Sequence, residues 1–143
     1  MNPRHVRAYV IGEHGDSEFV AWNNALVAMN TADFYLSNEE KTEIEEKVRK
    51  SAYEIINKKG YTCYGIGMSL VKITNAILQD SHEVLTVSAY DSAHDIYYSR
   101  PCVISRSGIQ EIIELQLSPA DATRLDASIA EIKNSYNAIP NHI

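Results

Sequence analysis

Residues 84–117 read VLTVSAYDSAHDIYYSRPCVISRSGIQEIIELQL, and this stretch decides the fold class. The runs Val84-Leu85-Thr86-Val87, Ile96-Tyr97-Tyr98, Cys102-Val103-Ile104 and Ile109 to Leu117 are short and rich in β-branched and aromatic residues. Asp91-Ser92, Arg100-Pro101 and Ser107-Gly108 separate them with turn formers. The pattern predicts an antiparallel meander, with Arg106-Ser107-Gly108 as the hairpin turn.

Helical signals flank this run on both sides. Ser37 followed by Glu40 has capping-box spacing, and Ile44, Val48, Ala52, Ile55 and Ile56 recur at helical intervals until Gly60. After a turn at Tyr61-Thr62, Ile66, Leu70, Ile73 and Ile77 repeat on spacings of four, three and four up to Asp80, predicting a second helix nearly continuous with the first. Downstream, Ser118-Pro119 supplies an N-cap and a first-turn proline for a last helix with Leu125, Ile129, Ile132 and Tyr136 on one face. Upstream, His5 to Ile11 predicts a strand broken at Gly12, and Phe19 to Met29 is read as strand. The expectation is an α+β domain over residues 1–143, without internal repeat, low-complexity tract or linker.

Composition narrows the function classes. The chain of 143 residues has 45% hydrophobic residues, enough for one compact core. It carries 13 Lys plus Arg against 19 Asp plus Glu, a formal net charge of -6, and no basic cluster, which argues against nucleic acid as a partner. No apolar run approaches the roughly 20 residues of a membrane span, and Met1-Asn2-Pro3-Arg4 leads into no signal-peptide core, so the expectation is a cytoplasmic protein. Cys63 and Cys102 have no metal-site spacing and are expected to be free, mostly buried thiols. His5, His82, His94 and His142 show no ligand-pair spacing and are expected at the surface, and no metal site is expected.

The octapeptide Gly12-Glu13-His14-Gly15-Asp16-Ser17-Glu18-Phe19 differs from everything else in the chain. It sets one imidazole between glycines, with carboxylates on both sides, just past a predicted strand end. A lone histidine in such a place is more often structural, yet an exposed imidazole titrates near neutrality and can exchange a proton with a carbonyl oxygen. Asp16 or Glu18 could in principle orient the ring, although a structural role is the better reading of both. Gly12 and Gly15 are read as serving backbone geometry.

GEHGDSEF, together with Lys59-Gly60-Tyr61-Thr62 through Gly65-Ile66-Gly67, resembles NAD-dependent L-lactate dehydrogenases of the lactate/malate dehydrogenase family, and the resemblance runs from about Val6 to Ile139. It implies His14 as proton donor and acceptor in the reversible reduction of a 2-keto acid such as pyruvate by NADH. It further implies that Thr62 lines the substrate pocket, that Ser51 and Ala52 border it from the facing helix, and that Ile66 packs on the nicotinamide. Without the resemblance, Thr62 reads as a helix-turn residue, Ile66 as core, and Ser51 and Ala52 as ordinary helix positions. Arg7 stands where many bacterial relatives carry a histidine that contacts fructose 1,6-bisphosphate between subunits. An arginine can grip phosphate through its planar fork, and a solvated strand-end charge is the plainer reading.

In that family the histidine segment follows a complete dinucleotide-binding half. No GxGxxG and no strand, Gly-rich turn and helix unit occurs here, so no Rossmann domain is expected and the chain by itself is expected not to bind NAD or catalyse. The histidine's aspartate partner and two substrate-handling arginines would come from that half. Glu13 favours the lactate branch over malate enzymes. Two alternatives stay open: an L-2-hydroxyisocaproate-type or malate dehydrogenase domain, and a non-catalytic fragment that self-associates. A homo-oligomer is expected in either enzyme reading.

Overall fold

The computed structural model describes residues 2–140. In chain order the elements are β1 (Val6–Arg7), β2 (Val10–Ile11), β3 (Phe19–Val20), β4 (Leu26–Val27), β5 (Asn30–Thr31), α1 (Asn38–Lys59), α2 (Tyr64–Leu78), β6 (Glu83–Asp91), β7 (Ile96–Ser105), β8 (Gly108–Ile112) and α3 (Pro119–Asn137). Short 3-10 turns lie at Pro3–His5, Trp22–Asn24 and Ala32–Phe34. All strand pairs are antiparallel, so the architecture is α+β.

Each long helix begins and ends for a local reason. At the start of α1, Ser37 Oγ accepts the Glu40 amide at 3.2 Å, and Glu40 Oε2 accepts the Ser37 amide at 2.8 Å. The helix stops at Gly60, whose φ of +86° is left-handed and cheap only for glycine. For α3, Ser118 Oγ accepts the Asp121 amide at 3.1 Å, and Pro119 occupies the first turn, where its missing N–H costs nothing. α2 follows Cys63 with no side-chain cap.

The main sheet has the order β6-β7-β8. Arg100-Pro101, expected as a break, lies inside β7 with Thr86 opposite Pro101. Proline is tolerated there because of the side it faces. The Pro101 carbonyl accepts the Ile113 amide at 2.8 Å, so its ring nitrogen points towards β8 and the β6–β7 ladder loses nothing. The reciprocal bond to Ile113 cannot form, and β8 ends at Ile112 instead of running to Leu117. The hairpin before it turns at Arg106 and Ser107 into Gly108, whose φ is +93°.

Two expected strands are shorter than predicted. His5 to Ile11 divides into β1 and β2, which pair with different partners, β4 and β3. Phe19 to Met29 is interrupted by the 3-10 turn at Trp22–Asn24, where Asn24 trades side-chain hydrogen bonds with the Gln116 backbone at 3.0 and 3.2 Å.

The core has two parts. Ala76 of α2 packs with Leu85, Ala89, Cys102 and Ile104 of the main sheet. Ile11, Phe19 and Ala21 pack with Leu115, Leu117 and Leu125, which joins the N-terminal hairpin to α3. The apolar rows of α1 and α2 are less buried than their periodicity predicts: Val48, Ile55, Ile56, Ile66 and Leu70 are exposed. Cys102 is buried as expected, whereas Cys63 is exposed, because it lies at the uncovered junction of the two helices. His5 and His82 are exposed and His94 is half-buried against Asp91, while His142 lies outside the described residues.

Candidate functional site

The loop that carries His14 leaves the fold at Gly12. There the backbone trades hydrogen bonds with Ser99 of β7, Gly12 N donating at 3.2 Å and Ser99 N at 2.9 Å, so the loop is rooted on the main sheet. Gly12 has a φ of +96°, and a Cβ at this position would come within 2.5 Å of Ser128 Oγ on α3. Ser128 is fully buried, and its Oγ accepts the Glu13 amide at 2.7 Å and lies 2.9 Å from Ser17 Oγ. Ser17 in turn donates both its amide and its hydroxyl to Glu13 Oε2. At the tip, the His14 side chain is 98% exposed, with Glu18 Oε2 at 3.8 Å from Nδ1.

Burial raises the Glu18 carboxyl above its ordinary range, against the lowering pull of His14 and Arg49. The Arg49 guanidinium donates to the Glu18 carbonyl at 3.4 Å, while its Nε is buried with no hydrogen-bond partner among the described residues. Across from the loop, Tyr53 of α1 donates to Asp16 Oδ1 at 3.0 Å. That bond raises the Tyr53 phenol, because ionising it beside a carboxylate is unfavourable. Asp16 thus ties loop to helix, while Glu18 is the carboxylate that faces the imidazole's Nδ1.

These groups border an open cleft of about 610 Å³ between the loop, α1 and the sheet, lined by His14, Asp16, Glu18, Arg49, Ser51, Ala52, Tyr53, Thr86 and Ser99 among others. The structure therefore brings His14 together with Ser51 and Ala52. The Ser51 hydroxyl donates to the Val48 carbonyl at 2.7 Å, so it is partly occupied within its own helix. Thr62 and Ile66 are not among the residues lining this cleft; Thr62 is half-buried between α1 and α2, and Ile66 is exposed in the first turn of α2. Arg7 is exposed and lines a separate cleft of about 670 Å³ with Arg4, Lys72, His82 and Glu83.

The position of α1 is fixed from behind by Glu45. Its carboxylate accepts Trp22 Nε1 at 2.8 Å and Arg124 Nη2 of α3 at 2.6 Å. Arg124 also stacks over the Phe19 ring at 4.4 Å. Sequence reasoning missed Arg49, Tyr53 and Ser128. Tyr53 adjoins the Ser51-Ala52 pair and could have been included on that ground; Ser128, 115 residues from Glu13, carries no signal of its own.

Chemically, the cleft offers one exposed proton-exchanging imidazole, one cation and hydroxyl donors, without a nucleophile held by a base. That set suits proton transfer to a small polar ligand presented over His14. The molecule is thus an α+β domain that offers a glycine-flanked histidine at the rim of an open cleft. A family model for the lactate/malate dehydrogenase alpha/beta C-terminal domain matches residues 1–142, and the chain belongs to this family. It is 41% identical over 145 residues to an L-lactate dehydrogenase 2 of Bacillus cereus, covering 94% of this chain and 46% of that protein. Among solved structures it is similar to a minor L-lactate dehydrogenase of Enterococcus mundtii, with TM-score 0.91 and 36% identity over 99% of this chain and 48% of that one. The malate dehydrogenase of Aeropyrum pernix also superposes with TM-score 0.91, at 28% identity over 98% of this chain and 49% of that one. The chain spans about half the length of the relatives it matches.

Proposed function

We propose that residues 1–143 supply the substrate and proton-transfer half of an NAD-dependent L-lactate dehydrogenase. The observation that carries this reading is His14, wholly exposed at the rim of a cleft in a chain whose family is that of lactate and malate dehydrogenases. As imidazolium, His14 gives its proton to the 2-keto oxygen of pyruvate while the carbon is reduced; in the reverse direction the neutral ring takes that proton from the lactate hydroxyl. Ser51 and Ala52 border the volume left for the substrate's side chain, and Thr62, which lies outside this cleft at the junction of α1 and α2, is read as limiting it from that side. The identities of 41% and 36% to L-lactate dehydrogenases, against 28% to the malate enzyme, favour lactate as the 2-hydroxy acid.

NAD fits this chain only at one end. Ile66 is an exposed apolar side chain suited to the face of a nicotinamide ring, whereas no described element offers a glycine-rich turn for a pyrophosphate. When bound, NADH supplies the hydride; this chain's own residues hold the proton and shape the pocket. The half that would bind the dinucleotide is read as a separate domain, and residues 1–143 alone as inactive.

Around one cleft with Lys72, which pairs with Glu83 at 3.0 Å, Arg7 and Arg4 supply guanidinium groups that suit a phosphorylated effector such as fructose 1,6-bisphosphate. Exposed Ile55, Ile56, Met68, Leu70 and Val71 suit a homo-oligomer. A cytoplasmic enzyme is the setting for both, and no helix among the described residues is long and apolar enough to cross a membrane.

The test is to fuse residues 1–143 behind the dinucleotide-binding half of the Bacillus cereus relative. Pyruvate-dependent NADH oxidation by the fusion, with no saturable NADH fluorescence change for residues 1–143 alone, is expected. A folded, NADH-binding fusion that reduces no 2-keto acid overturns the proposal.

A further inference from the structure

We infer that Ser128 of α3 is a positioning residue for His14, acting through a closed ring of hydrogen bonds with Glu13 and Ser17, and this rests on the reading in which His14 moves the proton. The ring runs from Ser128 Oγ to the Glu13 amide at 2.7 Å, from the Glu13 carboxylate to the Ser17 amide at 3.3 Å, and from Ser17 Oγ back to Ser128 Oγ at 2.9 Å. His14 lies inside this loop of sequence, and its own side chain is 98% exposed. No packing of the imidazole restrains it, so the backbone beneath must supply the order.

A buried hydroxyl is costly unless bonded, and Ser128 is fully buried. It directs its bonding not to its own helix but to the amide that immediately precedes His14. Both glycines of the motif follow from the same ring. A Cβ at residue 12 would fall 2.5 Å from Ser128 Oγ, and one at residue 15 would fall 2.7 Å from Glu13 Oε1, a carboxylate held in place by Ser17. Any larger residue at either position pushes one member of the ring away. The glycines around the histidine are therefore the space that lets α3 and Glu13 close in on the loop.

Two measurements test this. In residues 1–143, Ser128→Ala is expected to lower the 15N heteronuclear NOE of residues 13–17 while leaving the rest of α3 unchanged. Ile129→Val, which loosens the adjacent buried position of α3, should leave that loop as it was. In the active fusion, Ser128→Ala should lower kcat for pyruvate by ~10-fold to 10²-fold with the NADH affinity unchanged, since a misplacement of about 1 Å costs that order in rate. Should Ser128→Ala not fold, Ser17→Ala opens the same ring without touching α3 and is expected to give the same two changes, smaller in size. An unchanged NOE and kcat in these variants, or an equal kcat loss in Ile129→Val, overturns the positioning role. If the fusion is inactive even with Ser128 in place, the proton-transfer reading fails, and the NOE comparison alone decides whether the ring orders the loop.

Discussion

Gly12 and Ser99 trade both backbone hydrogen bonds, at 3.2 and 2.9 Å, so the histidine loop between β2 and β3 is anchored on the middle of β7. The root of the site is therefore tied directly to the main sheet. Gly12→Ala should break this arrangement, since alanine is strained at a φ of +96° and its Cβ would meet Ser128 Oγ. A loss of about 2–4 kcal/mol is expected, from the left-handed penalty together with overpacking. Urea unfolding measures it, and a loss below about 1 kcal/mol would show that the loop can re-route.

Glu45 is the point at which α1, α3 and the Trp22 turn meet. Glu45→Gln keeps the volume but removes the charge that holds Arg124 Nη2 at 2.6 Å, and should cost about 1.5–3 kcal/mol, the value of a charge-assisted bond. Trp22 is the sole tryptophan, so its emission reports the same change without interference. Full stability together with an unaltered spectrum would mean that α1 is placed by other contacts.

Much of this frame is legible in the sequence, and the reasons are local. The Ser37/Glu40 box, Gly60 and Ser118-Pro119 state the helix ends through bonds that span four residues or fewer. The hairpin at Arg106 and Ser107 is equally local. Pro101 misleads, because whether a proline breaks a strand depends on which neighbour its nitrogen faces, and that is set by pairing with β8. The same holds at the site. His14 stands out through its glycines, and Ser51 and Ala52 meet it in one cleft. The Ser128 and Tyr53 contacts join residues 115 and 37 positions apart, a distance at which no periodicity speaks.

Stability towards acid should depend on two carboxyls with opposite signs. Asp91 is held below its ordinary range of 3.8, first by its hydrogen bond to His94. Its folded pKa is the lower one, so its contribution is present above 3.8 and is lost as the pH falls through the folded value. Glu18 is raised above 4.5 by burial, so it favours folding when protonated and that contribution is lost as the pH rises through its folded value. Asp91→Asn should flatten the acid limb below pH 3.8, and Glu18→Gln should remove the loss above pH 4.5. Thermal melts across pH 2.5 to 6.5, a range chosen at roughly two units around the ordinary carboxylate values, check both. Parallel curves for all three proteins would refute the assignment.

Thr62 separates a pocket role from a helix-junction role. In the active fusion, Thr62→Gly should improve kcat/KM for a branched 2-keto acid relative to pyruvate by ~1–3 kcal/mol, the worth of a methylene-sized change of fit. An unchanged ratio with both rates reduced and a lower Tm would assign Thr62 to the junction between α1 and α2 alone.

The most direct test of the account is His14→Asn in the fusion with a dinucleotide-binding half. Asparagine keeps a polar side chain on the exposed loop tip and removes only the imidazole ring. NADH binding is expected to stay as in the parent, while kcat/KM for pyruvate falls by at least the ~10² to 10⁴ of lost general acid catalysis. Parental turnover in His14→Asn would contradict the assignment of His14 as the proton donor and, with it, the proposed function.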